Sequence, residues 1–324
     1  MSHAIRIHGT GGPEVLQWEA VEVARPSPGQ VLLRQTAVGL NYIDVYHRTG
    51  LYPVQVPAVL GLEGAGVVEE VGAGVTDLKV GDRVAYASPP LGAYAEVRSM
   101  PADRVIKLPK AITDQQAASL MLKGLTAQYL LRRSYRVQRG DTILIHAAAG
   151  GVGLILCQWA KHLGATTIGT VGNDEKAALA RAHGCTHTIV YTSEDFPQRV
   201  IELTGGKKTA VVYDAVGKDT FQKSLDCLQP FGMVVLFGQA SGPVPPFDLG
   251  QLATKGSLFV TRPTLVTYTA KRDDLVASAT ELFDVVKSGA VKTNVNQTYA
   301  LRDAAQAHRD LEARKTTGST VLVV

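Results

Sequence analysis

Apolar residues in the second half of the chain alternate between short continuous runs and helical spacing. Thr142–Ile145 is an apolar, β-branched run, typical of a strand that is buried on both faces. Small residues follow it from Ala147 to Gly153. Apolar positions then recur at the period of a helix, at Val152, Ile155, Leu156, Trp159 and Leu163. The pattern predicts a strand, a tight turn and a helix.

The same rhythm continues beyond this unit. Further strands are predicted at Thr166–Val171, His187–Tyr191, Thr209–Asp214, Gly232–Gly238 and, as a candidate sixth, Ser257–Thr261. The intervening helices are predicted at Asp174–His183, Phe196–Thr204 and Thr220–Leu228, with Gly184 in the position of a C-terminal helix cap. Strands that alternate with helices indicate an α/β domain with a doubly wound parallel sheet.

The first 123 residues lack this alternation. Short extended runs occur at Val31–Val38, Ala65–Val71, Arg83–Tyr86 and Tyr94–Val97, and glycine and proline separate them. Many short strands with turn signals predict a β-rich, barrel-like domain.

The last sixty residues add helices near Asp273–Ser288 and Leu301–Leu311 and a terminal strand at Thr320–Val324. We expect this strand to join the sheet of the N-terminal domain. The predicted division is therefore 1–123 with 265–324 in one domain and 124–264 in the other.

Composition narrows the class of protein. The 324 residues are 45% hydrophobic and 19% charged, with a net charge of +4, which fits an ordinary soluble globular protein and gives no reason to expect nucleic acid as the main partner. No apolar run has the length of a membrane span and no signal-peptide core begins the chain, so we expect a cytoplasmic protein. The three cysteines are far apart and form no CxxC pair.

The turn after the first strand of the α/β domain carries the sharpest chemical signal. It reads Ala148-x-Gly150-x-x-Gly153, with alanine at the first of three usual glycine positions, and Gly151 and Val152 open the helix. Small residues before a helix N-terminus let the backbone approach a pyrophosphate, whose charge the helix favours. The alternative is a tight turn that needs small residues only for packing.

Seven short segments, spread over most of the chain, carry a recognisable pattern: Asn41–Asp44, Gly50–Pro53, Gly61–Gly66, Val80–Val84, Lys123–Thr126, Ala147–Gly153 and Gly256–Leu258. Together they resemble the NADPH:quinone oxidoreductases, the zeta-crystallin-like branch of the medium-chain dehydrogenase/reductase superfamily, and the bacterial members most of all. The resemblance implies a GroES-like β-rich barrel domain plus a Rossmann domain, NADPH as cofactor and a quinone as substrate. It also implies a homodimer, which we expect to form through Ser257–Thr261 because an edge strand there needs a partner.

Two positions depart from the zinc-dependent alcohol dehydrogenases of the same superfamily. Those enzymes carry cysteine where Asn41 stands and histidine where Leu62 stands. Asparagine is a poor zinc ligand and leucine is none, and the eight histidines show no paired ligand spacing. We therefore expect no metal, and an acceptor such as a quinone or an activated enone that takes hydride without a Lewis acid.

Candidate catalytic residues lie between positions 41 and 52. Asn41 and Asp44 follow a strand, where they can contact substrate or the nicotinamide ribose, or simply cap a short helix. By resemblance Tyr46 and Tyr52 face the substrate pocket, although from sequence alone each reads as an ordinary loop tyrosine. Glu63 is equally readable as a functional group or as a buried structural carboxylate.

The residues after the second strand of the α/β domain bear on the choice of cofactor. An NAD site usually places an acidic residue there, but Gly172 occupies the place, nineteen residues after Gly153. By resemblance Lys176, Tyr191 and Arg314 surround a 2′-phosphate, which favours NADPH. Thr126 by resemblance, and Phe237 with Gly238 at the end of the fifth strand, are expected beside the nicotinamide.

Three functions remain open at this point. The first is NADPH-dependent, metal-free quinone reduction by hydride or electron transfer from the nicotinamide. The second is reduction of an enone or alkenal double bond on the same scaffold. The third, of another class, is a non-catalytic RNA-binding or crystallin-like structural role.

Overall fold

The computed structural model describes residues 2–324, and the chain forms two compact units. The first comprises Met1–Leu125, Thr269–Phe283 and Thr293–Val324, and the second comprises Thr126–Tyr268 and Asp284–Lys292. The division predicted above stays a prediction, and the units differ from it mainly at Asp284–Lys292, which group with the second unit.

The strands are numbered along the described residues. They are β1 Ser2–Ile7, β2 Gln17–Val21, β3 Gln30–Leu40, β4 Ala58–Val59, β5 Glu63–Val71, β6 Arg83–Ala87, β7 Val97–Pro101, β8 Ile106–Lys107, β9 Thr142–Ile145, β10 Thr166–Val171, β11 His187–Val190, β12 Thr209–Asp214, β13 Leu228–Leu236, β14 Phe259–Thr261, β15 Val295–Ala300 and β16 Ser319–Val323.

The α-helices are α1 Tyr42–Thr49, α2 Asp114–Tyr129, α3 Gly151–Leu163, α4 Asp174–Ala182, α5 Phe196–Leu203, α6 Phe221–Ser224, α7 Gly250–Thr254, α8 Leu265–Tyr268, α9 Arg272–Lys287 and α10 Ala304–Glu312. None of the helices in the described part of the chain combines the length and the apolar character that a membrane crossing requires.

The second unit is built on a six-stranded parallel sheet in the order β11-β10-β9-β12-β13-β14. The chain starts in the middle at β9, moves outward to β11, and then returns to the other side with β12, which is the doubly wound Rossmann order. Apolar residues such as Leu144, Ile168, Val212 and Val234 form its core. The predicted α/β class and parallel sheet are confirmed.

The first unit is β-rich, as predicted. One sheet has the order β15-β16-β3-β5-β6-β8 with β7 also paired to β3, and a small sheet has the order β2-β1-β4. The C-terminal β16 pairs antiparallel with β3, Thr320 opposite Leu40 and Val323 opposite Ala37, so the terminal strand does return to the N-terminal domain. This pairing fixes the end of β3 at Leu40 and therefore the position of the next residue, Asn41.

Four sequence-based elements need correction. Tyr94–Val97 was predicted as a strand, but strand β7 begins only at Val97. Before it, Ala95 makes only an isolated bridge to Ala4. The helix predicted at Thr220–Leu228 divides into α6 and a 3-10 turn, Leu225–Cys227. Strand β13 begins at Leu228 and ends at Leu236, before Phe237 and Gly238. Strand β14, predicted from Ser257, begins at Phe259 because Ser257 has a φ of +55°.

Candidate active site

Three buried polar side chains of the first unit, Asn41, Glu63 and Lys123, form one hydrogen-bonded cluster. Asn41 precedes α1 as its N-cap, Glu63 begins β5, and Lys123 lies on α2. The Asn41 Nδ2 group donates to Glu63 Oε2 at 2.8 Å, and Lys123 Nζ donates to the same oxygen at 3.2 Å. Lys123 Nζ also donates to the carbonyl of Leu40 at 3.3 Å.

Glu63 organises this cluster. Its carboxylate is 0% exposed, and its second oxygen, Oε1, accepts the Leu122 N–H at 2.7 Å. A buried carboxylate is tolerated when it is paired and hydrogen-bonded, and removing one partner leaves an uncompensated charge. The two readings of Glu63 from sequence therefore converge: the carboxylate is buried and structural, and it also orients the amide of Asn41.

Asp44 lies one helical turn after Asn41 and is fully buried. Its Oδ2 accepts the Asn41 N–H at 3.0 Å and the Tyr94 hydroxyl at 2.9 Å, whereas its Oδ1 has no hydrogen-bond partner in the described residues. Burial raises the pKa of Asp44 to about 7, although these two donors and the charge of Lys123 oppose the shift; the charge of Glu63 raises the pKa further.

A chain of hydrogen bonds that the sequence analysis missed leads away from Asp44. The Tyr94 hydroxyl lies 3.0 Å from His308 Nε2, and His308 Nδ1 lies 3.1 Å from Arg48 Nη1. Arg48 forms a bidentate ion pair with Glu312, with both contacts at 2.8 Å. Burial, and then the Arg48 charge, lowers the pKa of His308 to about 3. No local sequence signal links these residues.

The predicted tyrosines lie together on α1 and the turn after it. The ring centroids of Tyr46 and Tyr52 are 5.1 Å apart, those of Tyr42 and Tyr46 are 5.8 Å apart, and the Tyr52 N–H donates to the Tyr46 carbonyl at 3.0 Å. Tyr46 is buried and Tyr52 is half-buried. All four candidate catalytic residues, Asn41, Asp44, Tyr46 and Tyr52, therefore belong to one segment of the first unit.

The glycine-rich turn of the second unit has the predicted geometry. Ala147 adopts a φ of +54°, the Gly150 N–H returns to its carbonyl at 2.9 Å, and α3 begins at Gly151. A Cβ on Gly153 would lie 2.3 Å from the Ala147 carbonyl, so packing alone requires glycine there. The first N–H groups of α3, those of Gly151, Val152 and Gly153, have no intrahelical acceptor. Both readings of the turn are thus compatible, and its residues fit a pyrophosphate.

The residues expected around the cofactor ribose lie after β10 and β11. Asn173 caps α4 by accepting the Lys176 N–H at 2.9 Å, which sets Lys176 in the first turn of that helix. A Cβ on Gly172 would lie 3.4 Å from the Tyr191 hydroxyl, an ordinary contact, so packing does not explain the glycine. Arg314 belongs to the first unit, where it follows α10 with a φ of +59°. The roles of these residues stay predictions.

Phe237 and Gly238 follow β13 instead of ending it. Their N–H groups both lie near the Asp214 carbonyl, at 2.8 and 3.3 Å, and a Cβ on Gly238 would lie 2.6 Å from the Ala215 carbonyl. Thr126 lies near the C-terminal end of α2. Whether these three residues border a nicotinamide stays a prediction.

The residues at positions 41 and 62 do not fit a zinc ion. The Nδ2 group of Asn41 is a donor bound to Glu63, and Leu62 has no atom that can coordinate a metal. Within residues 2–324 no three side chains of histidine, cysteine, aspartate and glutamate are grouped as a metal site would need.

Family models match both halves of the chain. Residues 27–110 match the alcohol dehydrogenase GroES-like domain, and residues 151–279 match a family described as zinc-binding dehydrogenase. A quinone oxidoreductase of Pseudomonas aeruginosa is 55% identical over 100% of both chains. The chain belongs to the quinone oxidoreductase family. The description of the second model names zinc, but Asn41 and Leu62, which lie in the part of the chain matched by the first model, do not support a zinc site.

Two further relatives bear on the questions of substrate and cofactor. A 2-haloacrylate reductase of a Burkholderia species is 52% identical over 100% of this chain and 99% of its own. The crystal structure of the Escherichia coli quinone oxidoreductase complexed with NADPH superposes with a TM-score of 0.98, is 49% identical, and covers 99% of this chain and 100% of its own. The GroES-like and Rossmann architecture inferred from the sequence is thereby confirmed.

Proposed function

We propose that this chain is an NADPH-dependent reductase of quinones that works without a metal ion. One observation carries the proposal: the chain matches a quinone oxidoreductase over 100% of that relative, yet Asn41 and Leu62 take the positions of zinc ligands, and a buried Asn41–Glu63–Lys123 cluster stands beside them. Such a cluster can hold and polarise an acceptor but cannot bind zinc.

The second unit supplies the cofactor site in this proposal. The turn formed by Ala148 to Gly153 binds the pyrophosphate through backbone N–H groups, and Lys176 with Tyr191 favours the 2′-phosphate of NADPH over the bare hydroxyl of NADH. Thr126, Phe237 and Gly238 border the nicotinamide, which supplies hydride when the cofactor is bound. Gly172 leaves no carboxylate to repel the phosphate.

The first unit supplies the groups that hold the acceptor. Tyr52 is half-buried next to Tyr46, so its ring can pack on a quinone while its hydroxyl donates to a carbonyl oxygen. Asn41 is held by Glu63 through its Nδ2 group, which leaves its carbonyl oxygen to accept from a ribose hydroxyl or the acceptor. Asp44 fixes the start of helix α1, which has Asn41 as its N-cap and carries Tyr46.

A second substrate class is favoured by one observation, the 52% identity to a 2-haloacrylate reductase. The acceptor would then be an activated carbon–carbon double bond, and the same donors would polarise its carbonyl group. A panel of naphthoquinones, enones, alkenals and 2-haloacrylate, assayed by NADPH oxidation, separates the two classes. The proposal expects the largest kcat/KM for a quinone, and a double-bond substrate with the largest value would replace it by the second candidate.

We also propose a homodimer in the cytoplasm. Strand β14 is the edge of the parallel sheet, and Phe259 on it is 55% exposed. Phe231, on the neighbouring strand β13, is 72% exposed. An apolar edge strand of this kind is usually covered, and a second copy of the chain pairing through Phe259–Thr261 would cover it.

A further inference from the structure

Lys123 has a hydrogen-bonding capacity that the fold does not use. Its ammonium group carries three N–H donors, and in the described residues only two acceptors contact it, Glu63 Oε2 and the Leu40 carbonyl. The residue is only 5% exposed. A buried cationic N–H donor without an acceptor carries a free-energy penalty. We therefore expect the third N–H to bind an acceptor from outside the protein chain.

The fold holds this ammonium group beside Asn41. Lys123 Nζ and Asn41 Nδ2 both donate to the same atom, Glu63 Oε2, at 3.2 and 2.8 Å. The other carboxylate oxygen is fixed by the N–H of Leu122, the residue next to Lys123. The cation is therefore preorganised next to the amide that is proposed to contact the acceptor or the cofactor ribose.

The proposed reaction creates a negative charge that needs such a cation. NADPH, when bound, would supply a hydride with its electron pair, so that the quinone would become a hydroquinone monoanion and NADP⁺ would remain. A proton from solvent then completes the hydroquinone. A fixed charged donor in a buried site stabilises such a developing oxyanion strongly, because it needs no reorganisation when the charge forms.

We propose that Lys123 is a catalytic residue that donates its third N–H to the acceptor oxygen and stabilises the oxyanion formed there. The assignment rests on the proposed quinone reduction. Lys123 keeps its proton throughout and contributes only charge and a hydrogen bond. In this respect it takes the part that a Lewis acid plays in metal-dependent hydride transfer.

The alternative is that Lys123 serves only as the counter-ion of Glu63. A double variant separates the two roles. Lys123→Met alone leaves Glu63 buried without its cation and should lower the melting temperature, whereas Glu63→Gln with Lys123→Met removes both charges and should restore stability. If Lys123 is catalytic, kcat stays about 100- to 1000-fold low in the restored double variant.

Three controls complete the test. Lys107→Met removes an exposed lysine of the same unit that pairs with Asp82, and it should leave kcat unchanged. Lys123→Arg retains the charge and should recover part of the lost turnover. Binding of 4-nitrophenol, followed by the visible absorbance of its ionised form, reports oxyanion stabilisation without turnover: the wild type should favour the ionised form and the double variant should not.

The outcomes distinguish this assignment from the function on which it rests. If none of the quinones tested supports NADPH oxidation by the wild-type protein, the proposed function is contradicted. A double variant with wild-type stability and a kcat within about threefold of wild type, or with wild-type 4-nitrophenol ionisation, overturns the role of Lys123 while the proposed function stands.

Discussion

The Tyr94 hydroxyl lies 2.9 Å from Asp44 Oδ2, and this contact has a fixed direction. The direction follows from the far end of the chain, where Arg48 Nη1 contacts His308 Nδ1. Because a guanidinium group can only donate, Nδ1 accepts and the ring proton is on Nε2. His308 therefore donates to the Tyr94 oxygen, and Tyr94 donates to Asp44.

This direction determines where Asp44 carries a proton. Its Oδ2 already accepts from Tyr94 and from the Asn41 N–H, so a proton on the carboxyl group resides on Oδ1, which has no partner in the described residues. Asp44 and His308 are thus two buried groups in one chain, and burial acts on their pKa values in opposite directions.

The first prediction concerns the pH dependence of stability. The pKa of Asp44 rises from 3.8 to about 7, so the native state holds a proton that the unfolded chain has lost, and stability falls as pH rises between these values. The pKa of His308 falls from 6.5 to about 3, so its contribution is present above 6.5 and is lost as pH falls towards 3. Between pH 3.8 and 6.5 the contributions of Asp44 and His308 to the free energy of unfolding therefore change with pH in opposite directions.

Two single variants should therefore expose the opposing slopes. In Asp44→Asn, the free energy of unfolding should rise with pH between 4 and 6.5 more steeply than in the wild type, and in His308→Gln it should fall with pH, each by at most about 1.4 kcal/mol per pH unit. Urea unfolding at several pH values measures both. Parallel curves for the wild type and either variant would refute the assignment for that residue.

The second prediction concerns Tyr52. Tyr52→Phe removes only the hydroxyl, so if that hydroxyl donates to the acceptor, kcat should fall roughly 10-fold and the dissociation constant for NADPH should not change. Tyr42→Phe, a tyrosine of the same segment with no assigned role, is the matched control. An unchanged kcat with only a higher KM for the quinone would make Tyr52 a packing residue.

The third prediction concerns cofactor choice. A hydrogen bond to a charged group contributes about 1.5–3 kcal/mol, so Lys176→Ala should weaken NADPH binding about 10- to 100-fold and leave NADH nearly unchanged. Gly172→Asp should shift the preference further towards NADH, because a Cβ at this position makes only an ordinary contact and the new carboxylate repels the phosphate. Titration of both cofactors, with the exposed Lys207→Ala as control, checks this. Equal losses for NADPH and NADH would assign Lys176 to the solvated helix surface.

The fourth prediction concerns the sheet edge. Phe259→Glu places a charge on β14 and should convert a dimer into monomers in light scattering at micromolar concentration. Val276→Glu, at another exposed apolar position in the first unit, should leave the mass unchanged. A wild-type protein that already scatters as one chain contradicts the proposed assembly.

The sequence predicted the parts of the molecule in which the signal is local. The strand–turn–helix from Thr142 to Leu163 follows from periodicity and small residues within about one turn of each other. Helix α2 was missed because apolar residues lie on every side of it, for example Ala117, Ala118, Leu120 and Met121, so it has no polar face to reveal its period.

The same distinction holds in the candidate site. Asn41, Asp44, Tyr46 and Tyr52 are close in sequence and were grouped in advance by resemblance. Tyr94 and His308 contact each other across 214 positions of the chain, and only the fold brings them together. The partners of Glu63 come from the N-cap of α1 and from α2, so its role as the organiser of the cluster is likewise visible only in the structure.

The most direct test of metal-free quinone reduction by NADPH is a single turnover. Protein loaded with one equivalent of NADPH is mixed anaerobically with a naphthoquinone, before and after treatment with a zinc chelator, and zinc is measured on the same samples. If the chain reduces quinones without a metal ion, one NADPH is oxidised and one hydroquinone is formed per chain. The rate is then the same in both samples, and neither contains stoichiometric zinc. No NADPH oxidation, or a rate that is lost with one tightly bound zinc per chain, would contradict it.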